Sequence, residues 1–235
     1  MLKRWILFFY LKIWHYLCIE IKEIKNINSL TIFNKMKKLI RILICVDPQK
    51  DFIDQCLGNA DVQSVVPNIV NHIDKKGAKY DFIITTQDYH HDETYLKTQE
   101  GKKLPIKHCI AGTEGVKFND DIEDAIRRWC LRPDKDYTFW YNVTKPAFGS
   151  LELPVVIENI MKQEGAKNAE IVVCGFDTDI CVIACTLCVQ AGLGNNMEHN
   201  AHITVDASCC AGTSVAKHNA ALDVLESCLI TVINR

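Results

Sequence analysis

The sequence predicts an α/β fold in which a parallel sheet is covered by helices on both faces. Two observations carry this prediction. From residue 38 onward, short apolar runs alternate with longer segments of helical spacing, and this alternation is typical of βαβ units. A glycine also directly follows three of the helical segments, a position where glycine commonly ends a helix. A chain of 235 residues is long enough for one domain of this class.

The predicted elements alternate strictly along the chain. Apolar runs predict strands at 39–46, 82–86, 137–143, 170–175, 202–205 and 229–233. Helical spacing predicts one helix in each intervening segment, at 65–76, 120–130, 154–164, 180–191 and 214–227. Because a helix separates every two strands, we expect consecutive strands to run parallel in a single sheet.

The first 35 residues differ from the rest of the chain. The run at 5–19 (WILFFYLKIWHYLCI) is aromatic and aliphatic, but Lys12 and His15 interrupt it, and it is shorter than the roughly 20 apolar residues of a spanning helix. Its basic start resembles a signal peptide, yet no small-residue cleavage site follows. We expect residues 1–35 to be an N-terminal extension outside the fold, and residues 36–235 to form the domain. Membrane attachment through residues 1–30 stays an alternative.

Composition narrows the partners and the compartment. The chain has 27 basic and 29 acidic residues and a net charge of −2, so it offers no basic field for nucleic acid or an anionic membrane. Its 12 cysteines accompany long β/α segments that secreted disulfide scaffolds lack. We therefore expect most thiols to be small buried hydrophobes in a cytoplasmic protein. The expected partner is a small molecule, and a homo-oligomer is left open.

Residues that follow predicted strands are the candidates for chemistry, because ligands of such sheets bind at the carboxyl ends of the strands. These positions are Asp47, Asp88, Lys145, the 175–181 turn and Asp206. Asp47 follows its strand directly, in VDPQKDF. Apolar neighbours there can raise the pKa of its carboxyl toward the range of a general base. The alternative for Asp47 is a turn or cap residue beside Pro48.

Cys181 lies in CGFDTDICVIA, where a strand, a glycine turn and a predicted helix start follow one another. N–H groups at a helix start favour a thiolate and can hold an oxyanion, so the pattern indicates a nucleophile. The alternative is a buried structural cysteine. Lys145, in TKPAFGS, would favour the ionised forms of a nearby Asp and Cys; the alternative is a solvated surface lysine. Phe52 is expected to line a small-molecule pocket.

A third group indicates a metal site. Asp88 and His90 stand at i and i+2 of an extended segment and so point the same way, and His108 on the next loop could join them. A carboxylate with two imidazoles suits zinc or iron(II), and manganese less well. Loop histidines bonded to their neighbours are the alternative.

Cys181, Cys185 and Cys188 also show the C-x3-C-x2-C spacing of iron–sulfur ligands. The same spacing describes one face of a helix, and we expect a buried stripe there.

Together these residues resemble the isochorismatase-like cysteine hydrolases, the superfamily that includes nicotinamidases. The resemblance covers residues 38–234 and is carried by six motifs in the family's order. These are VDPQKDF (46–52), QDYH (87–90), KHCIAGTEG (107–115), TKPAFGS (144–150), CGFDTDICV (174–182) and VDASCCAG (205–212). The resemblance implies a six-stranded parallel sheet with helices on both faces, a three-layer Rossmann-like arrangement.

The resemblance also implies the roles of individual residues. Asp47, Lys145 and Cys181 match the family's catalytic triad, and a cis peptide is implied between Phe176 and Asp177. The N–H groups of Asp177 and Cys181 would form the oxyanion hole, while Phe52 and Phe176 would bind substrate. Asp88, His90 and His108 match the nicotinamidase metal ligands. Glu100 is the candidate for a fourth ligand, although it stands one residue out of register.

The resulting prediction is an enzyme that cleaves a small primary amide, nicotinamide above all, through a thioester on Cys181. Its cofactor would be a divalent metal, zinc or else iron or manganese. Leu104 stands where many nicotinamidases have an aromatic residue, which keeps another, metal-independent amidase or carbamoyl hydrolase as an alternative. From another class, a non-catalytic scaffold or redox module is the rival.

Overall fold

Six parallel strands form the centre of the protein in the computed structural model, which describes residues 39–133 and 139–235. The strands are β1 (Leu39–Val46), β2 (Phe82–Asp88), β3 (Phe139–Lys145), β4 (Asn168–Phe176), β5 (Asn200–Ala211) and β6 (Thr231–Ile233), in the sheet order β3-β2-β1-β4-β5-β6. All five pairings are parallel. The predicted fold class is confirmed. The predicted extension at 1–35 lies outside the described residues.

Seven α-helices occur in the described residues. They are α1 (Lys50–Ile53), α2 (Ala60–Lys76), α3 (Gln99–Lys103), α4 (Asp120–Cys130), α5 (Glu152–Glu164), α6 (Ile183–Leu193) and α7 (Val215–Ser227). A π-helical turn, Thr178–Val182, directly precedes α6, and short 3₁₀ turns occupy Gly77–Lys79 and Tyr95–Lys97. α2 packs against α4 and against β5, whereas α5 packs against α6. Among the described residues, no helix is long and apolar enough to cross a membrane.

β1 is the central strand and is buried on both faces, as its continuous apolar run predicts. From Ile40 to Val46, Arg41 alone is exposed. The register of the sheet then decides which chain ends meet. Val46 of β1 pairs with Gly175 of β4, and Asp88 of β2 pairs with Lys145 of β3. The carboxyl ends of four strands thereby converge at one edge of the sheet.

The largest differences from the predicted elements are at α2 and β5. α2 begins at Ala60 instead of 65, because the Asn59 side chain accepts a hydrogen bond from the Val62 N–H (2.9 Å) and caps a polar first turn. β5 continues to Ala211 instead of ending at 205, because its polar second half is buried in tertiary contacts that the local pattern does not reveal.

Candidate active site

Three predicted residues meet at the sheet edge where the strands converge. Asp47 follows β1, Lys145 ends β3, and Cys181 lies in the π-helical turn after β4. Lys145 Nζ is 2.7 Å from Asp47 Oδ2 and 3.5 Å from Cys181 Sγ. None of the three residues is more than 3% exposed. The structure therefore brings an acid, a base and a thiol together out of contact with bulk water.

Asp47 is held in one orientation by its neighbour on β2. Thr86 Oγ1 donates to Asp47 Oδ1 (2.6 Å) and accepts from the Asp47 N–H (3.1 Å). Asp47 itself has a φ of +47°, a left-handed conformation that is uncommon for residues other than glycine. Its Oδ2 contacts the lysine ammonium but accepts no hydrogen bond of regular geometry. That oxygen can therefore take a proton from a neighbouring thiol.

Thr86 is a functional neighbour that the sequence analysis missed. The signal in the sequence was a hydroxyl side chain at the end of an apolar strand, two residues before Asp88.

Burial dominates the electrostatics of the three residues. Burial disfavours the Lys145 ammonium, but Asp47, Cys181 and Asp88 outweigh it and hold the pKa of Lys145 well above its usual range. Burial raises the pKa of Asp47, with Lys145 opposing the shift. Burial followed by the Asp47 charge raises the pKa of Cys181 well above that of a free thiol. N–H groups at the helix start favour a thiolate, whereas burial and the Asp47 charge act in the opposite direction and favour the thiol.

Gly175 allows the chain to turn from β4 toward Cys181. Its φ is +122°, and a Cβ at this position would lie 2.1 Å from the Val46 carbonyl oxygen. The following Phe176–Asp177 peptide bond is cis, as the resemblance implies. The Asp177 carbonyl accepts hydrogen bonds from the N–H groups of Ile180 (3.1 Å) and Val182 (3.0 Å). A π-helical turn thus stands where the sequence predicted the first turn of an α-helix, with Asp177 and Cys181 near its two ends.

The four predicted metal-ligating residues also form one cluster. Single ligand atoms from Asp88, His90, Glu100 and His108 all lie within 4.8 Å of one another. Asp88 Oδ2 is 3.0 Å from His90 Nε2 and 3.3 Å from His108 Nε2. Glu100 Oε1 is 3.3 Å from His108 Nε2. The short helix α3 places the Glu100 carboxylate there, with Thr98 Oγ1 accepting from the Gly101 N–H at its start.

Two features of the cluster fit a divalent cation. Glu100 Oε1 is a buried oxygen without a hydrogen bond of regular geometry. His108 Nδ1 lies 2.9 Å from the Ile106 carbonyl oxygen, which fixes a proton on Nδ1 and leaves Nε2 to face the cluster. Burial disfavours the His108 imidazolium, but the Asp88 and Glu100 carboxylates, each 3.3 Å from its Nε2, raise its pKa to about 10. The carboxylates thus attract positive charge to this point.

Asp88 connects the cluster to the triad. Its Oδ1 is 3.6 Å from Lys145 Nζ while its Oδ2 faces the histidines. Burial would raise the pKa of Asp88, but hydrogen bonds from His108 and His90 outweigh it and keep that pKa well below its usual range. The buried amide of Gln49 fixes the Asp88 backbone: its Nε2 donates to the Asp88 carbonyl (2.9 Å) and its Oε1 accepts from the Asp88 N–H (2.7 Å). Gln49 is a second positioning residue that the sequence analysis missed.

Aromatic rings pack around the histidines. Phe52, 6% exposed, meets the His108 ring edge-on at 5.6 Å between centroids. Tyr95, which the sequence analysis did not select, lies 4.9 Å from the His90 ring and 5.3 Å from the His108 ring. Phe176, predicted with Phe52 to bind substrate, is fully buried in the core.

The remaining candidates lie elsewhere. Cys185 Sγ contacts the Phe148 carbonyl at 3.5 Å, and Cys188 packs beside Gly149. Neither belongs to a metal-ligating group with Cys181 among the residues that the structure describes. Asp206 lies inside β5, with its carboxylate against His72.

Comparisons with known proteins extend over this fold. Residues 41–235 match the family described as Isochorismatase domain. The chain is similar to a nicotinamidase from Bacillus subtilis (20% identity, TM-score 0.62), over 82% of this chain and 98% of that one. It is similar to a pyrazinamidase from Pyrococcus horikoshii in complex with zinc (21% identity, TM-score 0.61, 83% and 99% covered).

A third similar structure is N-carbamoylsarcosine amidase from Thermoplasma acidophilum, with 18% identity, a TM-score of 0.53, and coverage of 82% of this chain and 95% of that one. Curated protein sequences give no significant match. At these identities the solved structures show a shared fold, and the family match itself covers most of the sequence. The chain belongs to the isochorismatase domain family.

Proposed function

We propose that this protein is a hydrolase that cleaves a small primary amide through a thioester on Cys181. One observation carries the proposal: the Lys145 ammonium lies within 3.5 Å of both the Asp47 carboxylate and the Cys181 thiol, in a site that is almost closed to water. Burying charged groups costs free energy, so a purely structural role gives no reason to bury an acid, a base and a thiol at one point. This argues against the rival reading of a non-catalytic scaffold or redox module.

The first half of the reaction forms the acyl-enzyme. Asp47 Oδ2 takes the thiol proton, and the Lys145 ammonium stabilises the thiolate that results. The thiolate attacks the amide carbonyl carbon, and the N–H groups of Asp177 and Cys181 donate to the oxygen that becomes negative. A donor of this kind contributes on the order of 10²–10³ in rate. Collapse of the tetrahedral intermediate breaks the carbon–nitrogen bond, and Asp47 returns its proton to the departing ammonia.

The second half releases the acid. Asp47, again ionised, takes a proton from a water molecule that attacks the thioester carbonyl. The carbon–sulfur bond breaks, the thiolate leaves beside Lys145, and the proton held by Asp47 restores the thiol. One carboxyl thus serves as base and acid in turn, which its raised pKa favours.

Asp88, His90, Glu100 and His108 would hold a divalent metal in this proposal. Two imidazoles and two carboxylates suit zinc, with iron or manganese as the other candidates. When bound, the metal would fix an aromatic ring nitrogen or a water molecule of the substrate complex. The residues around it orient the ligands: Ile106 through its carbonyl to His108, and Gln49 through the Asp88 backbone.

Nicotinamide is the proposed substrate. Support comes from the nicotinamidase and pyrazinamidase among the similar structures, and from the Phe52 ring that packs edge-on to His108 next to the triad. A carbamoyl hydrolase or another amidase is the second candidate, favoured by the similarity to an N-carbamoylsarcosine amidase and by Leu104 in place of an aromatic residue. A cytoplasmic location and a homo-oligomeric state stay predictions.

The test is ammonia release from nicotinamide, pyrazinamide and N-carbamoyl amino acids by the full-length protein, with and without chelator. We expect release from nicotinamide, its loss in Cys181→Ala, and its retention in Cys188→Ala as the matched control. Intact-mass measurement during turnover should detect an acyl group on the wild-type protein and none on Cys181→Ala. Full activity of Cys181→Ala, or no release from any amide, would contradict the proposal.

A further inference from the structure

A second group of metal-ligating side chains lies between α2 and β5. His72 comes from α2, and Asp206 and Cys209 come from β5. His72 Nδ1 is 3.2 Å from Asp206 Oδ2 and 3.8 Å from Cys209 Sγ, and the three atoms lie within 4.8 Å of one another. The three residues are 4%, 0% and 3% exposed. We call this group the β5 cluster.

The spacing of these atoms agrees with the edges of a tetrahedral metal site. Zinc bonds of about 2.0 Å to nitrogen and oxygen place such ligand atoms about 3.3 Å apart. A zinc–sulfur bond of about 2.3 Å places sulfur about 3.6 Å from a nitrogen ligand. The observed separations of 3.2 Å and 3.8 Å lie close to both values.

The other polar atoms of the cluster are already held by neighbours. His72 Nε2 is 2.6 Å from Tyr80 Oη. Asp206 Oδ1 accepts from Ser208 Oγ (2.7 Å) and from Asn234 Nδ2 (2.9 Å). These contacts orient the imidazole and the carboxylate so that Nδ1 and Oδ2 face the thiol. Neighbours that hydrogen-bond to metal ligands commonly fix the ligands in this way.

Asp206 Oδ2 supplies an independent observation. It is fully buried, yet it makes no hydrogen bond of regular geometry, even with the nearby His72. The group that faces this buried oxygen is His72 Nδ1, at 3.2 Å, and a carboxylate removed from water is stabilised by a positive partner. A cation between Nδ1, Oδ2 and Sγ would supply that partner.

We propose that His72, Asp206 and Cys209 bind one zinc ion, separate from the Asp88 cluster, that fastens α2 to β5. A thiolate, an imidazole and a carboxylate form a donor set that suits zinc, whereas magnesium and calcium prefer oxygen ligands alone. The three side chains leave a fourth position for a water molecule. Because all three residues are buried, the ion has a structural role, and this proposal does not depend on amide hydrolysis.

Sulfur distinguishes the two clusters experimentally, because the Asp88 cluster contains no cysteine. The first experiment measures zinc per chain in full-length protein saturated with zinc and passed through a desalting column. We expect Cys209→Ser to hold one zinc fewer than the wild type. Cys210→Ser is the matched control: its thiol is also buried and is next in the sequence, but it is not one of the three ligand atoms of the β5 cluster, so this variant should lose none.

The second experiment replaces zinc by cobalt(II). We expect a sulfur-to-cobalt charge-transfer band in the wild type, in Cys181→Ala and in Cys210→Ser, and loss of that band in Cys209→Ser. Equal metal content in wild type and Cys209→Ser, or a band that persists in Cys209→Ser, would overturn the proposal and leave a metal-free hydrogen-bonded group. If Cys209→Ser does not fold, X-ray absorption spectroscopy of the zinc in the wild-type protein tests the proposal instead. A shell with sulfur at about 2.3 Å supports the site, and nitrogen and oxygen alone overturn it.

Discussion

Asp177 should make the protein less stable as the pH rises from the acidic range toward neutrality. Its side chain is 7% exposed, and Oδ1 has no hydrogen-bond partner. Burial, followed by the charges of Asp179 and Asp47, raises the pKa of Asp177 from its ordinary 3.8 to about 7, with Lys217 as the opposing charge. We therefore predict that Asp177→Asn, which keeps the shape and removes the ionisation, stabilises the protein above neutral pH.

The size of the effect follows from the two pKa values. Between pH 3.8 and about 7 the folded protein holds a proton on Asp177 that the unfolded chain has released. Stability falls with rising pH wherever the folded state binds more protons, by about 1.4 kcal/mol for each pH unit. Over this interval the wild type should lose about 4 kcal/mol relative to Asp177→Asn. Above the folded-state pKa the difference should stay constant.

The assay is urea unfolding of both proteins from pH 4.5 to 8.5, followed by tryptophan fluorescence. Glu198→Gln, which removes an exposed carboxylate, controls for the change in net charge and should show no comparable trend. A free-energy difference that does not change between pH 5 and 8 would refute the reasoning. A second consequence concerns activity: a carboxylate formed beside a proposed oxyanion donor opposes the developing negative charge. We expect kcat/KM of the wild type to fall above pH 7 more steeply than that of Asp177→Asn.

Three further substitutions test the construction of the site. Gly175→Ala should unfold the protein or lower its stability far more than Gly112→Ala, because a Cβ at 175 would lie 2.1 Å from a β1 carbonyl oxygen. Gly112 is also at positive φ but has open space around it. Urea unfolding compares the two variants, and Gly112→Ala alone should lower the free energy of unfolding by about 1–2 kcal/mol. Thr86→Val should cost about 1–2 kcal/mol and slow acyl-enzyme formation, since Asp47 loses its 2.6 Å hydrogen bond; an unchanged single-turnover rate would contradict this. Lys145→Met should abolish acylation and destabilise the fold by about 3–5 kcal/mol, because two buried carboxylates lose the ammonium that faces them. A melting temperature equal to that of the wild type would show that Lys145 does not stabilise these carboxylates.

Elements whose limits are encoded in a local sequence pattern could be predicted. β1 and α4 begin and end at the predicted residues, because an unbroken apolar run and a capped amphipathic segment each specify their own limits. The second half of β5 was not predictable. Asp206 and Ser208 resemble loop residues locally. They belong to a strand because distant residues contact them: His72 and Asn234 contact the Asp206 carboxylate, and Asn68 Nδ2 donates to the Ser208 carbonyl.

Some residues of the candidate site could also be predicted from the sequence, and others could not. Asp47 and Lys145 could be selected because the ends of parallel strands gather at one edge of a sheet. Glu100 was named as a ligand only through the family resemblance and one residue out of register, since its position depends on the five-residue helix α3, which is too short for a periodic pattern. Thr86 contacts Asp47, and Gln49 contacts the Asp88 backbone, through hydrogen bonds between residues that are 39 positions apart in the sequence. No spacing in the sequence records such contacts.

The charges around Lys145 link the triad to the metal-ligating cluster. The ammonium is 2.7 Å from one carboxylate oxygen of Asp47 and 3.6 Å from one of Asp88, and a single positive charge cannot balance both. Glu100 adds a third carboxylate to the same buried region. Burial opposes the His108 imidazolium, but the Asp88 and Glu100 carboxylates raise its pKa to about 10, so they favour a proton on this ring. A divalent cation at the cluster would replace that proton and satisfy Asp88. Lys145 would then be left to Asp47 and the thiol, so we expect the reactivity of Cys181 to depend on what occupies the cluster beside it.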